Sequence, residues 1–315
     1  MALVIVLPCL VLVLLAGIVI FALPRYFYRF TVGRKAPGPG EPGWLDTQAV
    51  EDLWIESRDG LKLHAYYVDY VEAPNAPGAP EAPDASGARG LAILVHGYSG
   101  DARQLAYLAR VFHDTFGMSV LLPDARGHGQ SQGHYIGFGW HERLDILDWM
   151  DKVRGRTRGA AIVLFGISMG ASTVLMASGE AVPPGLRLII ADCGYTSVAE
   201  ELAWQMKRRY RFFCAPLLRA VSRLTLRRAG YSFEEASALE QVKKSHVPTL
   251  FIHGEADTFV PFEMCARLYE ACAAEKELYT VPGAEHGAAY NTDADNYERR
   301  LALFLEKYLG RLPNA

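Results

Sequence analysis

Neither sign of charge dominates the chain: 32 lysines and arginines stand against 35 aspartates and glutamates, a net charge of -3 over 315 residues. Nucleic-acid backbones are bound by clustered cationic excess, so nucleic acid is not expected as a partner. The cysteines, Cys9, Cys193, Cys214, Cys265 and Cys272, are odd in number and irregularly spaced. That excludes a disulfide framework and leaves buried or free thiols. Histidine and cysteine spacing of the zinc-site kind is missing, and neither a metal nor a cofactor is expected. Internal repeats are missing too, which sets solenoids and propellers aside. Half of the residues are hydrophobic, enough to bury one large core or two small ones.

What is plentiful is apolar length at the start. From Ala2 to Leu23 no side chain is charged, a run long enough to cross a hydrocarbon layer of about 30 Å as a helix. Basic residues ahead of the run and an Ala-x-Ala site after it are both lacking, which favours a retained anchor over a cleaved signal peptide. Residues 1–24 are therefore read as a transmembrane anchor. Tyr26, Phe27 and Tyr28 suit the aromatic belt of a membrane interface, while Arg25, Arg29, Arg34 and Lys35 put the nearby positive charge on the C-terminal side. By the positive-inside tendency this is a single-pass protein of the cell membrane with its main domain in the cytoplasm. Residues 25–43, ending in APGPGEPG, read as a juxtamembrane linker, and 44–315 as the folded domain. A second Pro-rich stretch, APNAPGAPEAPDASGA at 73–88, lies between two strand-like runs and reads as a long surface loop.

Beyond it, apolar runs alternate with segments of helical spacing. LAILVHG, MSVLLPD, AAIVLFG, LRLIIAD and PTLFIHG are near-continuous Val/Ile/Leu runs, separated by stretches such as HERLDILDWMDKV. This pattern predicts an α/β fold with a mostly parallel sheet covered by helices on both faces. In such sheets the chemistry gathers at the carboxyl ends of the strands. The polar residues that end these runs, among them His96, Asp124, Ser168, Asp192 and Asp257, are thus expected along one edge.

LFGISMG, residues 164–170, sets Ser168 between Gly166 and Gly170 where a strand gives way to a helix. A turn tight enough to lift a side chain above the sheet brings backbones together, and glycine gives the room. A serine hydroxyl needs a base to take its proton and a third group to orient the base. Later in the chain Asp257 in HGEADTFVP lies just past one strand and His286 in VPGAEHG just past the next, ELYTV, giving the order Ser168, Asp257, His286. Asp192 is the rival acid. The negative charge that grows on a carbonyl oxygen under attack by Ser168 would meet the backbone N–H of Met169 at the start of the following helix.

Together LVHGYSG, DARGHGQSQG, GISMG, DCGYTS, FIHGEADTFVP and GAEHG resemble the α/β-hydrolases, especially bacterial esterase-like members with a membrane-anchored N-terminus, over about residues 50–310. The resemblance implies an α/β-hydrolase fold with a Ser168–His286–Asp257 triad, and it assigns the second oxyanion donor to the backbone of Tyr98, with His96 shaping the turn. His128 and Arg126 of DARGHGQSQG read as a hydrogen-bonded turn that supports the site, with Glu142 and Asp145 bonded to that turn or to water. Trp54 and Trp149 read as core.

Between DCGYTS and VPTLFIHG, about residues 195–247, the sheet pattern stops. Val198, Leu202, Met206, Tyr210 and Phe213, then Leu217, Val221 and Leu224 recur at helical spacing, which predicts two helices of a cap over the site. Lys207 to Arg228 carries eight basic residues and no acidic one; it reads either as a solvated helix face or as a surface for anionic lipid. The expected activity is hydrolysis of a small-molecule ester, lipid-like or amphiphilic, through an acyl-enzyme. A peptidase or amidase on the same triad, and a non-catalytic scaffold that keeps the fold, stay open.

Overall fold

The computed structural model describes residues 22–33, 43–71, 89–156, 161–210 and 215–310. Nearly all of the proposed anchor, the APGPGEPG stretch up to residue 42 and the Pro-rich stretch 72–88 lie outside the described residues. Among those described, no helix is long and apolar enough to cross a membrane.

Eight strands form one sheet in the order β1, β2, β4, β3, β5, β6, β7, β8. They are β1 (Val50–Glu56), β2 (Lys62–Val68), β3 (Gly90–Val95), β4 (Ser119–Pro123), β5 (Ala161–Ile167), β6 (Leu186–Asp192), β7 (Thr249–Gly254) and β8 (Lys276–Val281). Strand β2 pairs antiparallel with both β1 and β4, and the remaining pairs are parallel. The central strands are apolar along their whole length because both of their faces are covered. Every residue of β3 and β4 is buried, as parallel strands between helical layers require. One layer of the core gathers Leu91, Ile93, Leu164 and Trp149; the other gathers Ala92, Phe112, Phe165 and Phe304. Trp149 is core as expected, 1% exposed. Trp54 is not: it lies half-buried on the edge strand β1, its ring 4.8 Å from that of His64.

The helices are α1 (Leu23–Thr31), α2 (Ala106–Arg110), α3 (Glu142–Arg154), α4 (Met169–Ala177), α5 (Val198–Tyr210), α6 (Ala215–Ala229), α7 (Ala238–Val242), α8 (Phe262–Ala271), α9 (Ala289–Thr292) and α10 (Ala294–Leu309). The helices α5 and α6 are the cap pair expected from the spacing of apolar residues. Val198, Met206, Leu218 and Val221 turn inward, while Arg219, Arg223, Leu226 and Arg227 are exposed.

The start of the chain departs from the sequence reading. Leu23–Gly33 is not a free linker but a helix and turn laid against the domain. Pro24, Tyr28 and Val32, spaced by four, are buried, so one stripe of α1 packs inward while Arg25, Tyr26, Arg29 and Phe30 stay out. The Arg228 guanidinium of α6 lies 5.4 Å from the centre of the Tyr28 ring. The carbonyl of Val32 accepts from Ile136 N at 2.7 Å, and that of Thr31 accepts from the Tyr98 hydroxyl at 2.8 Å. The aromatic side chains expected to sit in a membrane interface are therefore split, with Tyr28 serving the core and Tyr26 exposed.

Candidate active site

Ser168 occupies the one residue between β5 and α4. Its backbone has φ 55° and ψ -114°, a conformation that costs a side-chain-bearing residue about 1–3 kcal/mol and persists only where the surroundings impose it. The imposing bonds are Ser168 N to Asp192 O at 2.8 Å and Ser172 N to Ser168 O at 3.0 Å. The flanking glycines answer to contact rather than flexibility. A Cβ on Gly166 would lie 2.2 Å from the carbonyl oxygen of Gly170, and one on Gly170 would lie 1.9 Å from that of Val95. Strand, turn and helix meet so closely there that any side chain would force them apart.

Two loops at the same sheet edge bring the partners. After β7, Asp257 Oδ1 accepts from the backbone N–H groups of Phe259 (2.8 Å) and Val260 (2.9 Å), which fixes the carboxylate. After β8 the chain returns beside it: Glu255 N bonds to Val281 O and Ala256 N to Ala284 O, each at 3.0 Å. His286 then lies with Nδ1 2.7 Å from Asp257 Oδ2 and Nε2 2.8 Å from Ser168 Oγ. Burial pushes the Asp257 carboxyl up, but hydrogen bonds from His253 and His286 outweigh it and hold it down at about 2. A carboxylate on Nδ1 leaves Nε2 as the nitrogen turned to the hydroxyl. Asp192, the rival acid, is engaged elsewhere. Its Oδ2 accepts from the Tyr297 hydroxyl at 2.8 Å, and burial lifts its carboxyl to about 6.

Residues 92–300 match the model of the alpha/beta hydrolase family. The chain belongs to that family. It is 31% identical over 215 residues to the uncharacterized protein YqkD of Bacillus subtilis, covering 68% of this chain and 70% of that one. Among solved structures it is similar to the esterase Pf2001 of Pyrococcus furiosus, with a TM-score of 0.68 and 21% identity over 89% of this chain and 99% of that chain. It is also similar to a puromycin-hydrolyzing peptidase of Mycobacterium tuberculosis, with a TM-score of 0.63 and 20% identity over 89% of this chain and 41% of that chain. At such identities the structural likeness speaks for the fold alone.

In this alpha/beta hydrolase the turn after β3 lies against Ser168: a Cβ on Gly97 would sit 3.5 Å from the Ser168 Cβ. His96 shapes that turn from beneath. It is fully buried, its Nε2 accepts from Ala125 N at 3.0 Å, and its Nδ1 donates to Gly97 O at 2.8 Å. The DARGHGQSQG segment is a hydrogen-bonded support. Asp124 accepts from Ala102 N, Gln130 N and His64, Arg126 grips Asp145 and Asp59, and Glu142 accepts from Gly137 N and Gly139 N. His128 lies within this turn, with Nδ1 3.1 Å from the Arg126 carbonyl oxygen.

Two features escaped the sequence. His253, the last residue but one of β7, backs Asp257 with Nε2 3.4 Å from Oδ2 and 2.9 Å from Val260 O; its position four residues before Asp257 was the available signal. Cys193, Asp257 and His286 bring ligand atoms within 4.8 Å of one another. Burial raises the Cys193 thiol well above its ordinary value, which disfavours the thiolate a metal needs, and Asp257 Oδ2 and His286 Nδ1 are committed to each other.

Ser168 opens into a cavity of about 310 Å³ under the cap, which Tyr98 and Met169 also line. Its walls come from three places: Phe138 and Phe259 from the loops, Leu202, Met206, Leu217 and Val221 from the cap, and Phe27, Phe30 and Thr31 from α1. The Tyr98 ring stacks on Phe138 at 5.3 Å. Among the described residues Cys193, Cys265 and Cys272 are free and buried; Cys9 and Cys214 lie outside the described residues.

Proposed function

We propose that the protein is a serine hydrolase that cleaves carboxylic esters through an acyl-enzyme. The observation that carries the reading is the unbroken chain of hydrogen bonds from Ser168 through His286 to Asp257 at the floor of an apolar cavity. In this scheme His286 Nε2 takes the Ser168 proton as Oγ attacks the ester carbonyl, then gives it to the departing alcohol. Water repeats the cycle on the acyl-enzyme. Asp257 holds the imidazole in the tautomer that accepts at Nε2 and stabilises its charge once protonated. The backbone N–H groups of Met169 and Tyr98 receive the oxyanion, assisted by the amino end of α4.

An amphiphilic substrate suits the cavity walls. Phe30 and Phe259 are both exposed and part of the lining, so apolar surface continues from solvent to Ser168. The apolar run before α1 would anchor the protein in the cell membrane with the domain on the cytoplasmic side. Arg219, Arg223 and Arg227, exposed on one face of α6, would then meet anionic headgroups. Protease added outside intact cells should leave the domain whole; its digestion from that side would reverse the orientation. Amide hydrolysis is the second reading, because the same fold and the same three side chains serve amides as well as esters and do not set the leaving group.

The test is to treat the detergent-extracted protein with a fluorophosphonate, locate the adduct by mass spectrometry, and assay p-nitrophenyl esters beside aminoacyl amides. A Ser168 adduct and ester turnover that disappears in Ser168→Ala and His286→Ala are the expected result. Faster turnover of the amides would make it a peptidase or amidase. Absence of both adduct and turnover would leave a hydrolase-fold scaffold.

A further inference from the structure

One polar group in the cavity has no counterpart in the reaction just described. Glu201, on the inner side of α5, is 8% exposed and lines the cavity with Ser168. Its Oε1 accepts from Gln205 Nε2 at 2.7 Å, and the same nitrogen donates to Phe259 O at 2.8 Å. Its Oε2 is buried with no hydrogen-bond partner among the described residues. The walls around it include Leu202, Met206, Val221 and Phe233, none of which can pair with a carboxyl group.

A charged carboxylate in such surroundings is strongly disfavoured, and the group takes up a proton instead. Burial lifts Glu201 to about 8, eased by the Gln205 bond, raised by the charge of Asp257 and lowered by that of Arg208. Arg209, Tyr98 and Tyr195 line the same cavity, the charge of Glu201 acts on the Tyr195 hydroxyl, and His286 stands between Asp257 and Ser168. Because Oε1 already receives an N–H, the proton belongs on Oε2. The side chain therefore carries an O–H donor with nothing to donate to, which costs free energy; Oε2 is itself closed off from the cavity, so the carboxyl group must turn to present its hydroxyl to a ligand there.

We propose that Glu201 is a specificity-determining residue whose Oε2 hydroxyl donates a hydrogen bond to a neutral acceptor oxygen, a ketone or ether, carried within the acyl chain of the ester. The inference rests on the acyl-transfer reading. The acyl chain is the relevant arm because it stays attached to Ser168 through both chemical steps, whereas the alcohol leaves after the first. A site built to pair with a polar group discriminates against the analogue that lacks it more sharply than an apolar pocket discriminates by size.

The experiment compares kcat/KM for p-nitrophenyl octanoate with those for isomers bearing one oxo group, moved along the chain from carbon 4 to carbon 7. An amino-octanoate ester is included, and the proteins are the full-length wild type, Glu201→Leu and Glu201→Gln. In the wild type at pH 6.5, one oxo position should exceed plain octanoate by about tenfold or more, and the ratio should fall as the pH passes about 8. Glu201→Leu should bring the ratio to about one. Glu201→Gln should keep it, and keep it above pH 8, because an amide N–H donates at any pH. A wild type that favours no oxo isomer, a ratio that survives Glu201→Leu, or a preference for the amino ester would each overturn the proposal. Failure of the wild type to cleave octanoate at all would bring down the acyl-transfer reading and this inference together; cleavage without oxo discrimination brings down the inference alone.

Discussion

The sheet edge and the cavity wall are built on opposite plans. At the edge, Ser168, Asp257 and His286 each lie in the turn or loop that follows a strand, and hydrogen bonds of 2.7–2.9 Å fix the Asp257 carboxylate and link the three side chains. The wall is assembled from distant pieces: α1 near the start of the chain, α5 and α6 from the middle, and Phe259 from the loop that also holds Asp257. The edge needs exact residue types, since a hydroxyl, an imidazole and a carboxylate have no substitutes. The wall needs apolar surface of about the right shape, which many residues supply. On the proposed mechanism, reactivity belongs to the edge and choice of substrate to the wall.

The sharpest way to break this division is at Ser168. Ser168→Ala should lower ester turnover by about a millionfold, the scale on which loss of a triad nucleophile acts, with folding intact by circular dichroism. Next, Asp257→Asn should cost about 10⁴-fold in kcat by favouring the wrong tautomer of His286, whereas Asp192→Asn, which keeps a partner for Tyr297, should stay within about tenfold; stopped assays on the two purified variants decide between them. On the wall the effects are smaller. Phe30→Ser exposes no core, since Phe30 is 54% exposed, yet it should lower the ratio of kcat/KM for octanoate over acetate about tenfold, equivalent to losing contact with one or two methylenes.

A separate effect, with no change in turnover as its readout, is on stability. Glu201 has its folded value raised from 4.5 to about 8, so between these limits the folded state keeps a proton that the unfolded state releases. Stability should fall as pH rises through that window, by about 5 kcal/mol in all at about 1.4 kcal/mol per unit. Glu201→Gln lacks this dependence. Thermal unfolding from pH 4.5 to pH 9 should show the wild type losing several degrees more than the variant; parallel curves would mean that folding does not raise the Glu201 carboxyl above its ordinary value.

The same contrast explains what could be read in the sequence. The strands β3 to β7 and the Ser168, Asp257, His286 order were visible because parallel strands write unbroken apolar runs and tight turns write glycine. The packing of Gly170 against Val95 gives the physical reason for that spelling. Helix α1 was hidden. Its arginines and aromatic residues directly follow an apolar run, and a local reading assigns them to a membrane interface. That Tyr28 is covered by α6 is a long-range contact with no local mark. Glu201 was hidden for a related reason: in sequence it is one acidic residue at the start of an amphipathic helix, and only the packing of α5 against the cavity removes it from water. Trp54 misled in the other direction, since a large apolar residue in a strand says nothing about whether that strand lies at the edge.

The division between edge and wall is tested most directly by one chain-length series. Turnover of p-nitrophenyl esters from acetate to decanoate is measured for the wild type, Asp257→Asn and Phe30→Ser under identical conditions. Asp257→Asn should lower log kcat/KM by the same amount at every length, while Phe30→Ser should flatten its rise with length. A uniform drop in Phe30→Ser, or a length-dependent one in Asp257→Asn, would contradict the division.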